Sequence, residues 1–389
     1  MAAREKQPPL KIGILCESFG ALGGVPQIVE ELAVGFADAG HRVAIISNPH
    51  KGKNLERPQH LGVEQVWVEL PRAKPFSIRH PERLWRHRSA TDLAGFIKRW
   101  SPDVMNIHGG LRDRFPAVLS ACNQARVPTV QSFHLVPEAS RKDGQTPRLD
   151  AFARRALVSA DAITFPSNAV KDGFKQIWPE SERAHVIRGG VNLEAASSAT
   201  PFTWPRPYIF SASRLDLHHK AVDRLIESFC LLSGEFADID LLIAGDGPQR
   251  SQVESMIAAA GLATRIHLLS SLAHQRLWSL YKGAWLFVML SRKPEGLPLV
   301  FFEAMACATP VIATRTGGTP EIISHQNTGI LVERNEPGEV AEAIRGLLTN
   351  PDQRKRLGRR GAETVQRYDW RDVALNYLKV YRSVLTSNR

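Results

Sequence analysis

Two carboxylates stand eight residues apart in Pro294-Glu-Gly-Leu-Pro-Leu-Val-Phe-Phe-Glu-Ala-Met-Ala306. Glu295 falls in the loop half of that segment, and Glu303 falls among Val300, Phe301, Phe302, Ala304 and Met305. A helix starting near Pro298, with proline in its first turn, is expected there. An ionised carboxylate in such an apolar run needs hydrogen-bond donors, because burying it alone is costly, and ligand hydroxyls would serve. Ser213-Arg-Leu-Asp-Leu-His-His-Lys220 delivers Arg214 and Lys220 just ahead of a helix start. Two cations beside a helix N-terminus make either a diphosphate clamp or a solvated basic loop. Asn106-Ile-His-Gly-Gly110 sets His108 at a strand end, and His134 has the same placement in Thr129-Val-Gln-Ser-Phe-His134. Glycine loops recur at Gly23-Gly24, at Gly245-Asp-Gly-Pro248 and at Gly317-Gly318. Each is either a tight turn or a place where backbone N–H groups approach an anion. Neither GxGxxG nor GxxxxGK[ST] occurs, so these are not the dinucleotide or P-loop signatures.

The elements that must position these residues alternate. Leu10–Cys16 has strand length, and Val25, Ile28, Val29, Leu32, Ala33 and Phe36 then form a helical stripe. Further strands are expected at Arg42–Ser47, Val104–Ile107, Thr129–Ser132 and Ala162–Pro166. The stretch 191–207, with Pro201, Pro205 and Pro207, reads as a linker. The alternation restarts with strands at Tyr208–Ser213, Asp240–Ala244, Ile266–Leu269, Trp285–Leu290 and Pro310–Ala313, and with helices at Ala221–Ser233 and Gln249–Ala260. Strands alternating with helices imply parallel sheets covered on both faces. The fold class is therefore α/β, two tandem Rossmann-like doubly wound domains facing a central cleft. The expected division is an N-terminal domain 1–190, a linker 191–207, a C-terminal domain 208–365, and a C-terminal helix 366–389 returning toward the N-terminal domain. Ligands of such sheets bind beyond the carboxyl ends of strands, where the loops above lie.

The 389 residues carry 50 Lys+Arg and 39 Asp+Glu, net +11. Residues 1–190 hold 27 basic and 19 acidic residues, net +8, so the first domain should seek an anionic partner. No apolar run is long enough for a spanning helix, and the polar start lacks a secretion signal. Cys16, Cys122, Cys230 and Cys307 are far apart in apolar surroundings and read as reduced, buried thiols of a cytoplasmic protein. Residues 71–100 interleave eight Lys/Arg with Phe76, Trp85, Leu93, Phe96, Ile97 and Trp100. That suits either peripheral docking on anionic lipid or a solvated helix face over buried aromatics. No nucleic-acid motif accompanies the charge. Asp238-Ile-Asp240 has a metal-binding form but precedes its strand, at the wrong end of the sheet, and no other metal-ligand spacing occurs.

Taken in order, these segments resemble the retaining glycosyltransferases of family 4, which have the GT-B fold. The resemblance runs from about Lys11 to Tyr381, and Glu295 to Glu303, continuing through Ala304-Met-Ala-Cys-Ala-Thr-Pro-Val311, looks like that family's E-x7-E segment. It implies a nucleotide-sugar donor, UDP-linked in preference to GDP-linked, with no metal and no further cofactor. It also implies a glycan or lipid-linked acceptor from cell-envelope synthesis. By resemblance Arg214 and Lys220 neutralise the diphosphate, Glu303 binds the ribose hydroxyls, Glu295 contacts the donor sugar, and His108 contacts its 6-hydroxyl region. Gly23, Gly24, Gly245, Gly247, Gly296, Leu297, Pro298 and Leu299 complete the donor site, with His134 on the acceptor side. Arg188-Gly-Gly stands where the family commonly has Pro-Asn-Gly, and Ala221 and Ala308 stand where it often has glycine. An epimerase or phosphorylase of the same fold, or a non-catalytic sugar-nucleotide-binding subunit, are the alternatives.

Overall fold

The computed structural model describes residues 8–17, 19, 23–48, 61–68, 70, 84–109, 115–135, 158–178 and 184–387. The chain divides into two compact units, Met1–Arg188 with Trp370–Arg389, and Gly189–Asp369.

In the first unit the described elements run β1 (Lys11–Cys16), α1 (Gly24–Asp38), β2 (Arg42–Ser47), β3 (Glu64–Trp67), α2 (Leu84–Trp100), β4 (Val104–His108), α3 (Phe115–Gln124), β5 (Thr129–Ser132), β6 (Ala162–Phe165), α4 (Asn168–Ile177) and β7 (Ala184–Val186). The seven strands form one parallel sheet in the order β3-β2-β1-β4-β5-β6-β7. The order reverses between β1 and β4, so the loops after those two strands flank the switch point of the sheet. Strands β1, β2, β4, β5 and β6 are buried nearly throughout, as strands covered on both faces must be.

The second unit runs α5 (Leu193–Ser198), β8 (Tyr208–Ala212), α6 (Val222–Leu232), β9 (Asp240–Ala244), α7 (Arg250–Ala259), β10 (Ile266–Leu269), α8 (His274–Gly283), β11 (Leu286–Met289), α9 (Leu299–Ala306), β12 (Val311–Thr314), β13 (Ile330–Val332), α10 (Pro337–Leu348) and α11 (Pro351–Val365). Its parallel sheet is ordered β10-β9-β8-β11-β12-β13, with the reversal between β8 and β11. The short strands β3, β7 and β13 lie at sheet edges, where weaker burial leaves little apolar pattern to read. Pro298 is the N-cap of α9, one position before the helix, not a residue of its first turn.

One boundary differs from the sequence reading. Residues 191–207 are not a free linker but part of the second unit. Asn192 caps α5 through Ala195 N–H at 2.8 Å, and Lys282 Nζ donates to the carbonyls of Ala196 and Ser197 at 3.0 and 2.8 Å. Phe202 N–H donates to Ser279, and the Trp204 indole donates to Asp240 at 2.8 Å. The prolines there fix an irregular but anchored path. The last helix, α12 (Trp370–Ser387), belongs to the first unit. It crosses α1 where a Cβ on Gly35 would come within 2.8 Å of Ala374 Cβ. Its Tyr381 hydroxyl accepts from Asn106 Nδ2 at 2.6 Å, tying it to β4.

Cys16, Cys122 and Cys307 are buried and Cys230 partly so, all as free thiols. In the 71–100 segment, residues 71–83 lie outside the described residues. The described part of α2 fits the alternative of a helix face over buried aromatics. Leu93, Phe96 and Ile97 are buried in the core of the first unit, and the Trp100 indole donates to Glu64, leaving Lys98 and Arg99 exposed. No described helix is long and apolar enough to cross a membrane.

Candidate functional site

The second unit gathers its polar residues at the β8/β11 switch point. The loop after β8 is held by the loop after β9. Ser213 N–H donates to Ala244, Leu215 N–H to Asp246 and Gln249 N–H to Leu215, at 3.1, 2.9 and 3.1 Å. A Cβ on Gly245 would sit 1.9 Å from Ser213 O, and one on Gly247 would sit 2.4 Å from Leu215 O. These two glycines are therefore required by the close approach of the two loops, and Gly245 also holds φ +143°. Arg214 is exposed; its carbonyl accepts from Asp216 N–H at 2.9 Å, and its guanidinium makes no hydrogen bond or ion pair among the described residues.

Lys220 is reached through a turn around Asp216, whose carbonyl accepts from the N–H groups of His219 and Lys220. Lys220 bridges antiparallel to Ser291 in the loop after β11. Its Nζ pairs with Glu295 Oε1, the oxygen that also accepts from Ser291 Oγ at 2.5 Å. Glu295 is fixed from behind by the loop after β12: Gly318 N–H donates to its carbonyl at 2.9 Å. Gly317, at φ +53°, would place a Cβ 2.0 Å from that same oxygen. Arg292 is engaged elsewhere, its guanidinium bidentate on Asp223 at 2.7 and 2.5 Å and bonded to the Leu217 carbonyl. It pins the loop after β11 to the start of α6.

Glu303 lies in α9 and is 2% exposed. The partners that its burial requires come from the protein itself. Tyr281 Oη donates to Oε2 at 2.9 Å, and His274 Nε2 meets Oε1 at 2.8 Å. Seven residues separate these two partners on α8, two turns apart on one face. Burial, and then the Glu303 charge, push the Tyr281 phenol well above its ordinary range. Each carboxylate oxygen carries two lone pairs, so acceptor capacity remains for hydroxyl groups. Of Gly296, Leu297, Pro298 and Leu299, which follow Glu295, Leu297 and Leu299 have buried apolar side chains, so only their backbone is available to a ligand. No side chain caps α9, and its N-terminal dipole end follows directly on Glu295-Gly296.

The first unit has its own polar cluster at the β1/β4 switch point. Gly23 and Gly24 open α1 without a side-chain cap, and residues 20–22 before them lie outside the described residues. His108 ends β4 and is 2% exposed, its Nδ1 lying 3.0 Å from His134 Nε2 with the rings stacked at 5.2 Å. Read separately from the sequence, the two histidines form one hydrogen-bonded pair. Burial, then the neighbouring His134, lowers His108 well below its ordinary range, and burial lowers His134 to about 4. Both are neutral at pH 7, so one nitrogen of the bridge donates and the other accepts. His108 Nε2 is buried without a partner among the described residues.

Asp240, half of the apparent metal motif, is engaged by Arg265, Arg206 and Trp204 at the amino end of β9. Among the described residues no three His, Cys, Asp or Glu side chains cluster as metal ligands would. Sequence reasoning missed Ser291, Tyr281 and His274. The i, i+7 spacing of the last two was a readable signal; the Ser291 contact depends on a loop path that carries none.

A family model described as "Glycosyltransferase Family 4" matches residues 22–195, and one described as "Glycosyl transferases group 1" matches 195–364. The N-acetyl-alpha-D-glucosaminyl L-malate synthase of Bacillus anthracis is 24% identical over 392 residues, covering 98% of both chains. The phosphatidyl-myo-inositol mannosyltransferase of Mycobacterium leprae is 26% identical over 392 residues, 97% of this chain and 98% of that protein. Among solved structures, the Anabaena protein HepE in complex with UDP-glucose superposes with a TM-score of 0.77 at 19% identity, over 96% of this chain and all of that one. With the two family models back to back over residues 22–364 and two doubly wound parallel sheets beneath them, the chain belongs to the family 4 glycosyltransferases of the GT-B fold.

Proposed function

We propose that this glycosyltransferase is a retaining enzyme that takes a hexose or related sugar from a nucleoside-diphosphate sugar, UDP-linked in preference to GDP-linked, without a divalent metal. The observation that carries this reading is the Lys220–Glu295 pair beside the β8/β11 reversal, with Arg214 exposed in the same loop as Lys220. Cleaving the sugar–phosphate bond builds negative charge on the diphosphate and positive charge on the sugar ring. Cations fixed before the reaction stabilise that state, by several kcal/mol at a well-formed site. Arg214 has no competing partner among the described residues, and Lys220 is held ready by Glu295. Glu303, oriented by Tyr281 and His274, accepts the ribose hydroxyls. Glu295 is assigned to hydroxyls of the transferred sugar, and within the first unit the unpartnered His108 Nε2 is assigned to a ligand hydroxyl. Since no carboxylate is assigned as a nucleophile, the acceptor attacks on the face the diphosphate leaves, and the departing phosphate oxygen takes the acceptor proton.

The acceptor is assigned to the first unit and to an anionic class. The net charge of +8 over residues 1–190 favours it. The names of the relatives point the same way, one acting on L-malate and the other on a phosphatidyl-inositol. A glycolipid of the cell envelope, met at the inner membrane surface, is the proposed physiological acceptor.

Calorimetric titration of UDP checks the donor site. Lys220→Ala should weaken UDP about tenfold or more, the loss of one charge-assisted contact. Equal affinity would remove Lys220 from the site, and absence of UDP and GDP binding by the unaltered protein would remove the donor site itself.

A further inference from the structure

Behind Lys220 and Glu295 the loops after β11, β12 and β13 are joined by a closed ring of side-chain hydrogen bonds. Ser291 N–H donates to Thr314 Oγ1 at 3.0 Å, Thr314 Oγ1 donates to Asn335 Oδ1, and Asn335 Nδ2 donates to the Ser291 carbonyl at 2.9 Å. Ser291, Thr314 and Asn335 are 3%, 5% and 9% exposed. The donors and acceptors close in one sense only: a flipped Asn335 amide would set its oxygen against the Ser291 carbonyl oxygen. Asn335 holds φ +58°, a left-handed conformation that asparagine tolerates better than most residues. A buried amide is thus kept in a costly backbone conformation where a glycine would relieve it.

The ring leads forward to the donor loops. Ser291, its shared member, donates Oγ to the Glu295 oxygen that Lys220 pairs with, and its backbone is bridged to Lys220. The register of Ser291 therefore sets both partners of the ion pair. The ladder between β12 and β13 runs through Ile312–Thr314 and Ile330–Val332 and does not need these side chains.

We propose that Asn335, with Thr314, is a positioning residue for the Lys220–Glu295 pair, acting through Ser291. The claim rests on the donor-site reading above. Asn335 touches neither the diphosphate nor the sugar; it fixes the loop that presents the two charged groups to them.

A double-mutant cycle tests this, with UDP-glucose as the probe, calorimetry for affinity and thermal melting to confirm folding. Asn335→Gly removes the amide while accepting φ > 0, and Thr314→Val removes the hydroxyl at nearly constant volume. Each should weaken UDP-glucose about tenfold in the unaltered background and less than twofold in a Glu295→Ala background, because coupled residues lose their effect when the partner is gone. Ser291→Ala, which breaks the link itself, should abolish the coupling in the same way. Full affinity in both single variants, or the same fold-loss in both backgrounds, would overturn the positioning role and leave the donor site standing. If the unaltered protein bound neither UDP-glucose nor GDP-mannose, the donor reading would fall and the positioning claim with it.

Discussion

Lys220 and Glu295 stand 75 residues apart in sequence, and the pair exists because two loops leave neighbouring strands at one reversal. Their charges and their placement in loops after strands were readable from the sequence; the ion pair between them was not. How Glu303 is satisfied was only half legible: the i, i+7 spacing of His274 and Tyr281 puts both on one helix face, but nothing local shows which neighbour that face packs against. The histidine pair was equally hidden: His108 and His134 are 26 residues apart on adjacent strands β4 and β5, where their ends align. That pair makes a prediction in pH. Both histidines are neutral when folded and titrate near 6.5 when unfolded, so on acidification the unfolded chain binds protons first. The stability this pair contributes is complete above pH 6.5 and is lost as pH falls toward about 4. Urea midpoints between pH 7.5 and 5 should therefore fall less steeply for a His108→Asn/His134→Asn variant than for the unaltered protein. Identical slopes would show that neither histidine is held neutral.

Among the elements, the buried central strands and the helices after them were legible because continuous apolar runs and the 3.6-residue period leave strong patterns. The edge strands β3, β7 and β13 were not: β3 and β7 are at most half-buried and carry little apolar pattern, and β13 has only three residues. Residues 191–207 were misread because proline and small residues signal irregular backbone, not freedom, and here that backbone is fastened to α8 and to Asp240. Ala308 shows what a departure at one family glycine costs. It ends α9 at φ +57°, and a Cβ on Gly358 would lie 2.0 Å from its carbonyl, so α11 packs directly on this turn. A left-handed alanine costs about 1–2 kcal/mol, partly offset by the freedom glycine adds to the unfolded chain. Ala308→Gly should therefore stabilise the protein by about 0.5–1 kcal/mol in urea unfolding. A loss of stability would mean that the methyl group packs usefully there.

For the whole molecule, the charge split of +8 and +3 is the property that bears on partners. The apolar residues of α2 that are described face the core, so membrane contact, if the acceptor is lipid-borne, must come from charge. Arg83→Glu/Arg86→Glu/Arg88→Glu should reduce sedimentation with phosphatidylglycerol vesicles, most at low salt, where basic residues near such a surface contribute about 1 kcal/mol each. Unchanged sedimentation would reject a membrane-facing role for that segment.

The central claim, metal-free retaining transfer from a nucleoside-diphosphate sugar, meets its most direct test in the product. The protein is incubated with a panel of UDP- and GDP-sugars, with L-malate or phosphatidylinositol vesicles as acceptors, in the presence and absence of EDTA. Nucleotide release and the anomeric proton coupling of the product are followed by NMR. The account predicts release from a UDP-sugar, a product with the anomeric configuration of the donor, and a rate that EDTA leaves unchanged. An inverted product, or activity abolished by EDTA and restored by magnesium, would contradict it.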